Sequence, residues 1–287
     1  MKKLFSLVLC CIIGLSMAQN VNRFFYELTY QPNKDSAKTE TIMTVLDIWK
    51  DKSVYRDYTA ISQDSLLKEF TQNAMRTGNF FDTEKAGIKQ AKFSYTIVKP
   101  YPITDEIRYE DMILNKKFVY TEKVKLDWKV QPETTTIENY PVQKATVDFG
   151  GRSWSAWFTT ELPFADGPYK FQGLPGLIVK LEDSQHHYQW LLKGNEKLTE
   201  EKATSYVDTM MKQFGMGKGI EISKEKFEKA YNDYKKDPFA SMKMQLNSPQ
   251  MKDYKLPDGS SLVEKLKETE ERMKKMLNEN NNPIELK

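Results

Sequence analysis

The sequence has only two cysteines among its 287 residues, and both of them, Cys10 and Cys11, lie close to the N-terminus. The rest of the chain has no thiol, which excludes disulfides, thiolate metal sites and cysteine nucleophiles. Histidine is equally scarce, because His186 and His187 are the only two. Such a protein has to be stabilised by a packed core, and this chain is long enough to bury one.

Long hydrophobic runs are missing beyond the N-terminus. Two lysines precede the apolar segment 4–15, and Ser16-Met17-Ala18 then forms a small-x-small cleavage site. This order predicts a secretory signal peptide over residues 1–18, with cleavage near Ala18-Gln19. The apolar segment is shorter than the roughly 20 residues that a membrane span needs. We therefore expect an exported chain, periplasmic or secreted, whose mature form has no transmembrane segment.

Neither sign of charge dominates the sequence. The chain has 43 Lys and Arg residues and 40 Asp and Glu residues, a net charge of +3. This net charge falls by two when Lys2 and Lys3 are removed with the signal peptide. An almost neutral chain has no overall electrostatic reason to bind nucleic acid or an anionic membrane. Aromatic residues make up 12% of the chain, and they favour strands.

A hydrophobic period of two dominates the chain from residue 22 to about residue 194. Phe24, Tyr26, Leu28 and Tyr30 alternate with mostly polar residues, which predicts a strand with one buried face. The same pattern predicts strands over 41–50, 53–58, 92–98, 106–114, 117–122, 124–130, 144–149, 152–160, 177–182 and 187–193, with a tight turn at 115–116.

The sequence pattern predicts one helix within the series of strands and further helices after it. A Ser N-cap candidate and periodic apolar residues predict an early helix over 62–77, ended by Gly78. After residue 194 the composition shifts towards Lys, Glu and Met, and helices are predicted over 223–236 and 260–277.

These elements predict an α+β, mainly β fold. We expect a large twisted antiparallel sheet with one early inserted helix, and C-terminal helices packed on or beside the sheet. No linker rich in Gly, Ser or Pro separates strands from helices. We therefore expect a single domain over residues 19–287, strand-rich over 19–195 and helix-rich over 196–287.

The most distinctive stretch of the sequence is Gly173-Leu174-Pro175-Gly176-Leu177-Ile178. Pro175 fixes φ near −65° and Gly176 permits a positive φ, which predicts a type II turn. The alternation after Leu177 predicts a strand, and the polar loop 183–186 predicts its return, so the turn feeds a hairpin. A phosphate loop would place its glycines before a helix N-terminus, whereas these precede a strand. We interpret the stretch as structural, with a binding loop as the alternative.

A second glycine pair, Gly150-Gly151, predicts another hairpin, because two-residue hairpin turns require positive φ angles. Its second strand carries Trp154 and Trp157 on opposite faces. Together with Phe171 and Trp190 they are candidates for an apolar surface that binds a lipid, peptide or sugar. The alternative is that these rings form the core of the sheet.

Candidate catalytic residues are few. The adjacent histidines would point to opposite faces of a strand and are not expected to share a metal. A serine hydrolase would need Ser153 or Ser155 with His187, but the sequence lacks a Gly-x-Ser-x-Gly elbow. A carboxylate pair such as Glu161 with Asp166 has little predictive value in a chain with 40 acidic residues. We predict no catalytic residue, no metal ligand and no cofactor.

The sequence resembles the GLPGLI family, which is named for the hexapeptide at 173–178. The likeness extends to Gly150-Gly151-Arg152 with Trp154 and Trp157, Leu162-Pro163, Gly167-Pro168-Tyr169-Lys170-Phe171, Asp237-Pro238-Phe239 and Asn282-Pro283-Ile284-Glu285-Leu286. The resemblance implies an exported Bacteroidetes protein of no established activity, with an outer-membrane TonB-dependent receptor as a partner. It implies no catalytic residue.

We therefore expect an exported, non-catalytic envelope protein that binds a partner protein or an apolar ligand, accessory to an outer-membrane transport system. The alternative is a metal-dependent or carboxylate-based hydrolase of the periplasm.

Overall fold

The computed structural model describes residues 20–77, 86–113, 116–213, 215, 217–240, 243 and 261–286. The predicted signal peptide, the helix stop at Gly78 and the first residue of the predicted 115–116 turn lie outside the described residues. Among the described residues, no helix has the length and apolar character needed to cross a bilayer.

Twelve strands form one open sheet. Their bounds are β1 (Asn20–Tyr30), β2 (Glu40–Ile48), β3 (Lys52–Asp57), β4 (Thr96–Pro100), β5 (Glu106–Ile113), β6 (Lys116–Lys123), β7 (Lys129–Ile137), β8 (Tyr140–Phe149), β9 (Arg152–Thr159), β10 (Leu177–Asp183), β11 (Tyr188–Thr199) and β12 (Ile220–Glu221). Their order across the sheet is β12-β6-β5-β4-β3-β2-β1-β11-β10-β9-β8-β7. Neighbours pair antiparallel except β12 and β6, which run parallel. The predicted mainly β fold is confirmed.

The described helices lie early in the chain and after β11. They are α1 (Thr59–Ser62), α2 (Asp64–Thr77), α3 (Glu200–Ala203), α4 (Tyr206–Gln213), α5 (Lys224–Lys236) and α6 (Leu262–Glu279). The predicted early helix corresponds to α2, which begins at Asp64 instead of residue 62, and the short helix α1 precedes it. Helix α5 begins after Ser223, whose hydroxyl accepts a hydrogen bond from the backbone N–H of Lys226. Phe227 then packs on the rings of Tyr109 and Tyr120, so α5 lies on β5 and β6.

The edge strand β7 differs from its prediction. The apolar residues of 124–130 suggested a strand there, but the strand runs through the polar threonines to Ile137. Its hairpin with β8 turns at Glu138 and Asn139, whose φ angles of 47° and 68° are positive. Seven of the nine residues of β7 are exposed. Such an edge strand needs no apolar alternation, which is why the period-two pattern missed it. Strand β4 likewise begins at Thr96 instead of residue 92.

The core lies on one face of the sheet and is covered by residues 160–176, which we call the central segment. The alternating side chains Phe24, Tyr26, Leu28 and Tyr30 of β1 are all buried there. The central segment joins β9 to β10, and its Phe164 packs edge-on against Phe24, with ring centroids 5.3 Å apart. The predicted buried face of β1 is thus confirmed, and its cover comes from the central segment.

The sheet curves around the central segment. Lys99 on β4 donates hydrogen bonds from Nζ to the carbonyl oxygens of Gly167 (2.8 Å) and Tyr169 (3.2 Å). From the other half of the sheet, Trp128, just before β7, donates from Nε1 to the carbonyl oxygen of Gln172 (2.8 Å). Since β4 and β7 lie eight places apart in the strand order, both can reach one segment only if the sheet is strongly bent.

Candidate functional site

Three of the four aromatic residues predicted to form a binding surface lie in the core. Trp154, Phe171 and Trp190 are at most 1% exposed, and their rings contact each other, with Trp154 lying 4.8 Å from Phe171 and 5.9 Å from Trp190. The three rings therefore lie in the core, the alternative stated for them above, because Phe171 of the central segment packs onto Trp154. Trp157 is partly buried on the opposite face, under the ammonium of Lys144.

The hexapeptide forms the predicted hairpin but not the predicted type II turn. The backbone of Gly176 does not have a positive φ, whereas Gly173 has a φ of 92°. The N–H of Leu177 donates to the carbonyl oxygen of Leu162 (3.0 Å) instead of closing a turn within the hexapeptide. Strand β10 then begins at Leu177 and pairs with β9 and β11.

Gly176 is required for a steric reason. A Cβ atom at this position would lie 2.0 Å from the carbonyl oxygen of Thr159 on β9, far inside van der Waals contact. Leu177 and Ile178 next to it are completely buried. The hexapeptide is therefore the place where the central segment passes against β9 before it enters the sheet.

The C-terminal residues 282–286, which we call the tail, bind along the sheet and the central segment. Asn282 donates from Nδ2 to the carbonyl oxygen of Gln31 (2.8 Å), and its own carbonyl accepts a hydrogen bond from the hydroxyl of Tyr188. Leu286 donates its N–H to the carbonyl oxygen of Gly150 (2.6 Å). The tail thereby connects the end of β1 to the β8–β9 turn.

Arg152 holds most of the tail. Its guanidinium donates to the carbonyl oxygens of Ile284 (3.0 Å) and Pro283 (2.8 Å) and to Oδ1 of Asn282 (2.6 Å). Nη1 of the Arg152 guanidinium lies 2.9 Å from Oδ2 of Asp183, and both charged side chains are buried. Three of the hydrogen bonds of this buried guanidinium go to consecutive residues of the tail, which indicates that Arg152 fixes the position of the tail.

The glycines of the β8–β9 turn have two roles: they adopt the positive φ angles of the turn, and they leave space for the tail. Gly150 and Gly151 have φ angles of 61° and 78°, as the two-residue hairpin requires. A Cβ on Gly150 would lie 2.9 Å from Cγ of Glu285, and one on Gly151 would lie 3.1 Å from Cβ of Leu286. The predicted hairpin is confirmed. Because its glycines have no Cβ, Glu285 and Leu286 of the tail can also pack directly against the turn.

A second charged cluster binds the side-chain carboxylate of Glu285 in the tail. Lys170 of the central segment, almost fully buried, contacts the carboxylates of both Glu122 and Glu285. Lys224 at the start of α5 lies 2.8 Å from Glu122 and 3.5 Å from Glu285. The hydroxyl of Tyr169 also donates to Oε1 of Glu285. Sheet, central segment, helix and tail thus meet in one alternating network of charges.

Two members of this network, Lys224 and Glu285, line a surface depression of about 370 Å³. The depression is lined by Lys224, Phe227, Glu228, Tyr231, Asn232, Glu285 and Leu286. Tyr231, predicted to lie on the inner face of α5, is 37% exposed, as is much of Leu286. The arrangement offers an exposed aromatic ring and an exposed leucine above paired charges, which suits contact with another chain more than chemistry on a small substrate.

The pKa of Glu285 gives the cluster a testable pH dependence. Burial alone would raise the pKa of this carboxyl, but the charge and hydrogen bond of Lys170, the Tyr169 hydroxyl and the charge of Lys224 lower it below the ordinary value of 4.5. A carboxyl whose pKa is lower in the folded state adds stability above its ordinary pKa and loses it as the pH falls through the folded value.

We expect Glu285→Gln to reduce the free energy of unfolding by about 1–3 kcal/mol at pH 7, as for other hydrogen bonds to charged groups. The difference from the unsubstituted protein should shrink progressively below pH 4.5. Urea unfolding at several pH values measures it, with Glu279→Gln on the exposed face of α6 as the control. A difference that stays constant down to pH 3 would contradict the charge-based role of Glu285.

The candidate catalytic residues are not brought together. Ser153 donates its hydroxyl to Asp148 at 2.6 Å, while Nδ1 of His187 lies 3.2 Å from Arg152. Because a guanidinium can only donate, this Nδ1 accepts. Glu161 is exposed, whereas Asp166 is buried against Lys99. Among the described residues, no group of three or more His, Asp or Glu side chains is arranged to hold a metal ion.

The fold and the site define a mainly β protein whose curved sheet encloses the central segment, with the C-terminal tail bound to both. Residues 151–180, which span β9, the central segment and the start of β10, match the model of a family described as "Protein of unknown function (Porph_ging)". No curated protein matches the chain.

Two solved structures of PNGF-II, in space groups C2 and P21, also match the chain. Their TM-scores are 0.49 and 0.47, and their sequence identities are 13% and 14%. Each match covers 74% of this chain but only 32% and 33% of the PNGF-II chains. This chain therefore spans about a third of the length of the structures it matches.

Proposed function

We propose that the protein is an exported, non-catalytic protein of the bacterial envelope that belongs to the GLPGLI family and binds a partner protein. Export is supported by the order of lysines, apolar run and small-x-small site in residues 1–18. Membership is supported by the hexapeptide 173–178 and by the motifs that surround it. The partner we infer is an outer-membrane TonB-dependent receptor, to which the protein is accessory.

We choose a protein partner over an apolar ligand because the central segment occupies the concave face of the sheet. An apolar ligand would need the concave face of the sheet, and Phe171, Leu174 and Trp154 are packed against one another there and at most 2% exposed. Exposed apolar atoms instead lie at the surface, on Tyr231 and Leu286. These observations favour a protein partner over an apolar ligand.

The state of the charged groups supports a non-catalytic role. A general acid or base needs a titratable group that faces substrate with a pKa tuned to its task. Here Lys170, Lys224, Glu122 and Glu285 are each in contact with an opposite charge of the same network. Groups held in this way position chain segments.

Recovery of the tagged mature protein from its own cell envelope tests the proposal. We expect a TonB-dependent receptor to be enriched in the bound fraction, and the recovered protein to begin at Gln19. Mass spectrometry of proteins and of extracted lipids measures both, with an unrelated exported protein under the same tag as the control. Recovery of lipid without protein would contradict the choice of partner, and recovery of nothing above the control would contradict the binding role.

A further inference from the structure

The tail occupies a groove that is built like a peptide-binding site. We call it the tail groove and define it by Gly150, Arg152, Tyr169, Lys170 and Tyr188. All five contact the tail, through the hydrogen bonds and ion pair described above. They belong to the β8–β9 turn, β9, the central segment and β11, and so to the sheet and its core.

Each position of the tail is distinguished by a different kind of contact. Both ends of the Asn282 amide are used, with Oδ1 accepting from Arg152 and Nδ2 donating to the carbonyl oxygen of Gln31. Ile284 is a buried core residue, and Glu285 meets two lysines and a tyrosine hydroxyl. The groove thus recognises an amide, then an aliphatic side chain two residues later, then a carboxylate.

The tail nevertheless lies at the surface. Pro283 and Leu286 are exposed, so one side of the tail faces solvent along its length. Pro283 has no N–H, and its carbonyl oxygen is bonded by Arg152. The tail also donates hydrogen bonds to backbone carbonyl oxygens of Gln31, Pro32 and Gly150. It is not one of the strands of the sheet, so it can be exchanged without separating any of them.

We propose that the tail groove is a recognition site for extended segments of the form Asn-Pro-aliphatic-Glu, which the protein's own tail fills and a segment of a partner protein displaces. This inference goes beyond the proposed function, since it names the surface and the chemistry of the bound segment and requires neither export nor an envelope partner. The attached tail competes at an effective concentration in the millimolar range. Displacement is therefore controlled by how tightly the attached tail is held.

A peptide titration of the full-length protein tests the proposal. The probe is fluorescein-labelled Asn-Asn-Asn-Pro-Ile-Glu-Leu-Lys, and the protein carries Asn282→Ala with Glu285→Gln, which weaken the attached tail and leave the groove unchanged. By fluorescence anisotropy we expect saturable binding at least tenfold tighter than to the unsubstituted protein. A probe with the same two substitutions should bind at least tenfold more weakly.

Asn281→Ala is the matched control protein. This residue precedes the tail, and its side chain bonds Lys34 and Asp35 at the exposed start of the groove, so the variant should bind the probe like the unsubstituted protein. If the double variant does not fold by circular dichroism, Glu285→Gln alone takes its place. Equal binding of the two probes, or no binding to a folded variant, would overturn the proposal.

Sedimentation of the unsubstituted protein distinguishes a foreign partner from a second copy of this chain. We expect a monomer at all concentrations, because the attached tail fills the groove. A dimer that forms with increasing concentration and is abolished by Glu285→Gln would assign the groove to exchange between copies and overturn the partner segment. A failed envelope pull-down with a successful titration would reject the proposed envelope partner and leave the tail groove as inferred.

Discussion

Gly176→Ala is expected to destabilise the protein by more than about 4 kcal/mol, a size that single substitutions reach only through a defined structural collision. The added methyl would lie 2.0 Å from the carbonyl oxygen of Thr159. This neighbour is backbone of β9, paired with Leu177, so it cannot rotate away as a side chain would. Relief requires β9 and β10 to separate above Trp154 and Ile178, in the most completely buried part of the core.

Two other glycines provide matched controls. Gly173 has a φ of 92° but open space around a Cβ, so Gly173→Ala should cost only the conformational penalty of about 1–2 kcal/mol. Gly194 has neither a positive φ nor an atom within 4 Å of a Cβ, and its replacement by alanine should leave stability nearly unchanged. Urea unfolding followed by tryptophan fluorescence orders the three. If Gly173→Ala proved the most damaging, the turn and not the collision would explain the hexapeptide.

The hexapeptide illustrates what local sequence rules can and cannot predict. Pro175-Gly176 has the composition of a type II turn, and the rule correctly placed a change of direction and a following strand there. The rule failed on the role of each glycine, because the need for Gly176 comes from Thr159, 17 residues away. A close approach between two strands leaves no periodic signal in either of them.

The sheet was predictable because its strands are long and one face is buried. The alternation in β1 reports one buried face directly, and Gly150-Gly151 marks a turn whose backbone requires glycine. The edge strand β7 escaped prediction because it is mostly exposed. The strand order was not predictable, since the pairing of β1 with β11 joins residues 158 to 179 positions apart, from Tyr30 with Tyr188 to Asn20 with Thr199, and no local pattern encodes such a pairing.

Only part of the candidate site could be predicted from the sequence. The family resemblance pointed to Arg152, Lys170 and Glu285 as parts of three separate motifs, but nothing in their spacing indicated that they meet. Lys99 was missed entirely, because the predicted strand ended at residue 98, whereas β4 extends to Pro100 and buries Lys99, an unusual residue for a core. A buried lysine has to have a partner, and that expectation is the one signal that could have led to Asp166.

Lys99→Met is expected to destabilise the protein by about 3–5 kcal/mol, the usual cost of removing one partner of a buried ion pair. Lys99 and Asp166 are both completely buried and in contact. Burial lowers the pKa of Lys99, and the charge of Asp166 opposes this shift. Without the lysine, the Asp166 carboxylate would retain the N–H of Gly167 as a donor, while its Oδ2 already has no partner among the described residues.

The double variant Lys99→Met with Asp166→Leu separates the charge from the packing. Replacing both members of a buried pair by apolar side chains of similar volume is often neutral or stabilising, so the double variant should recover most of the loss seen in either single variant. Lys144→Met, which removes an exposed pair with Glu133, is the control and should change stability by less than about 1 kcal/mol. Denaturant unfolding of the four proteins of the cycle gives the coupling energy. If the double variant lost the sum of the two single losses, Lys99 would be stabilising through its bonds to the carbonyls of Gly167 and Tyr169, and the central segment would be held by those bonds and not by the charge of Asp166.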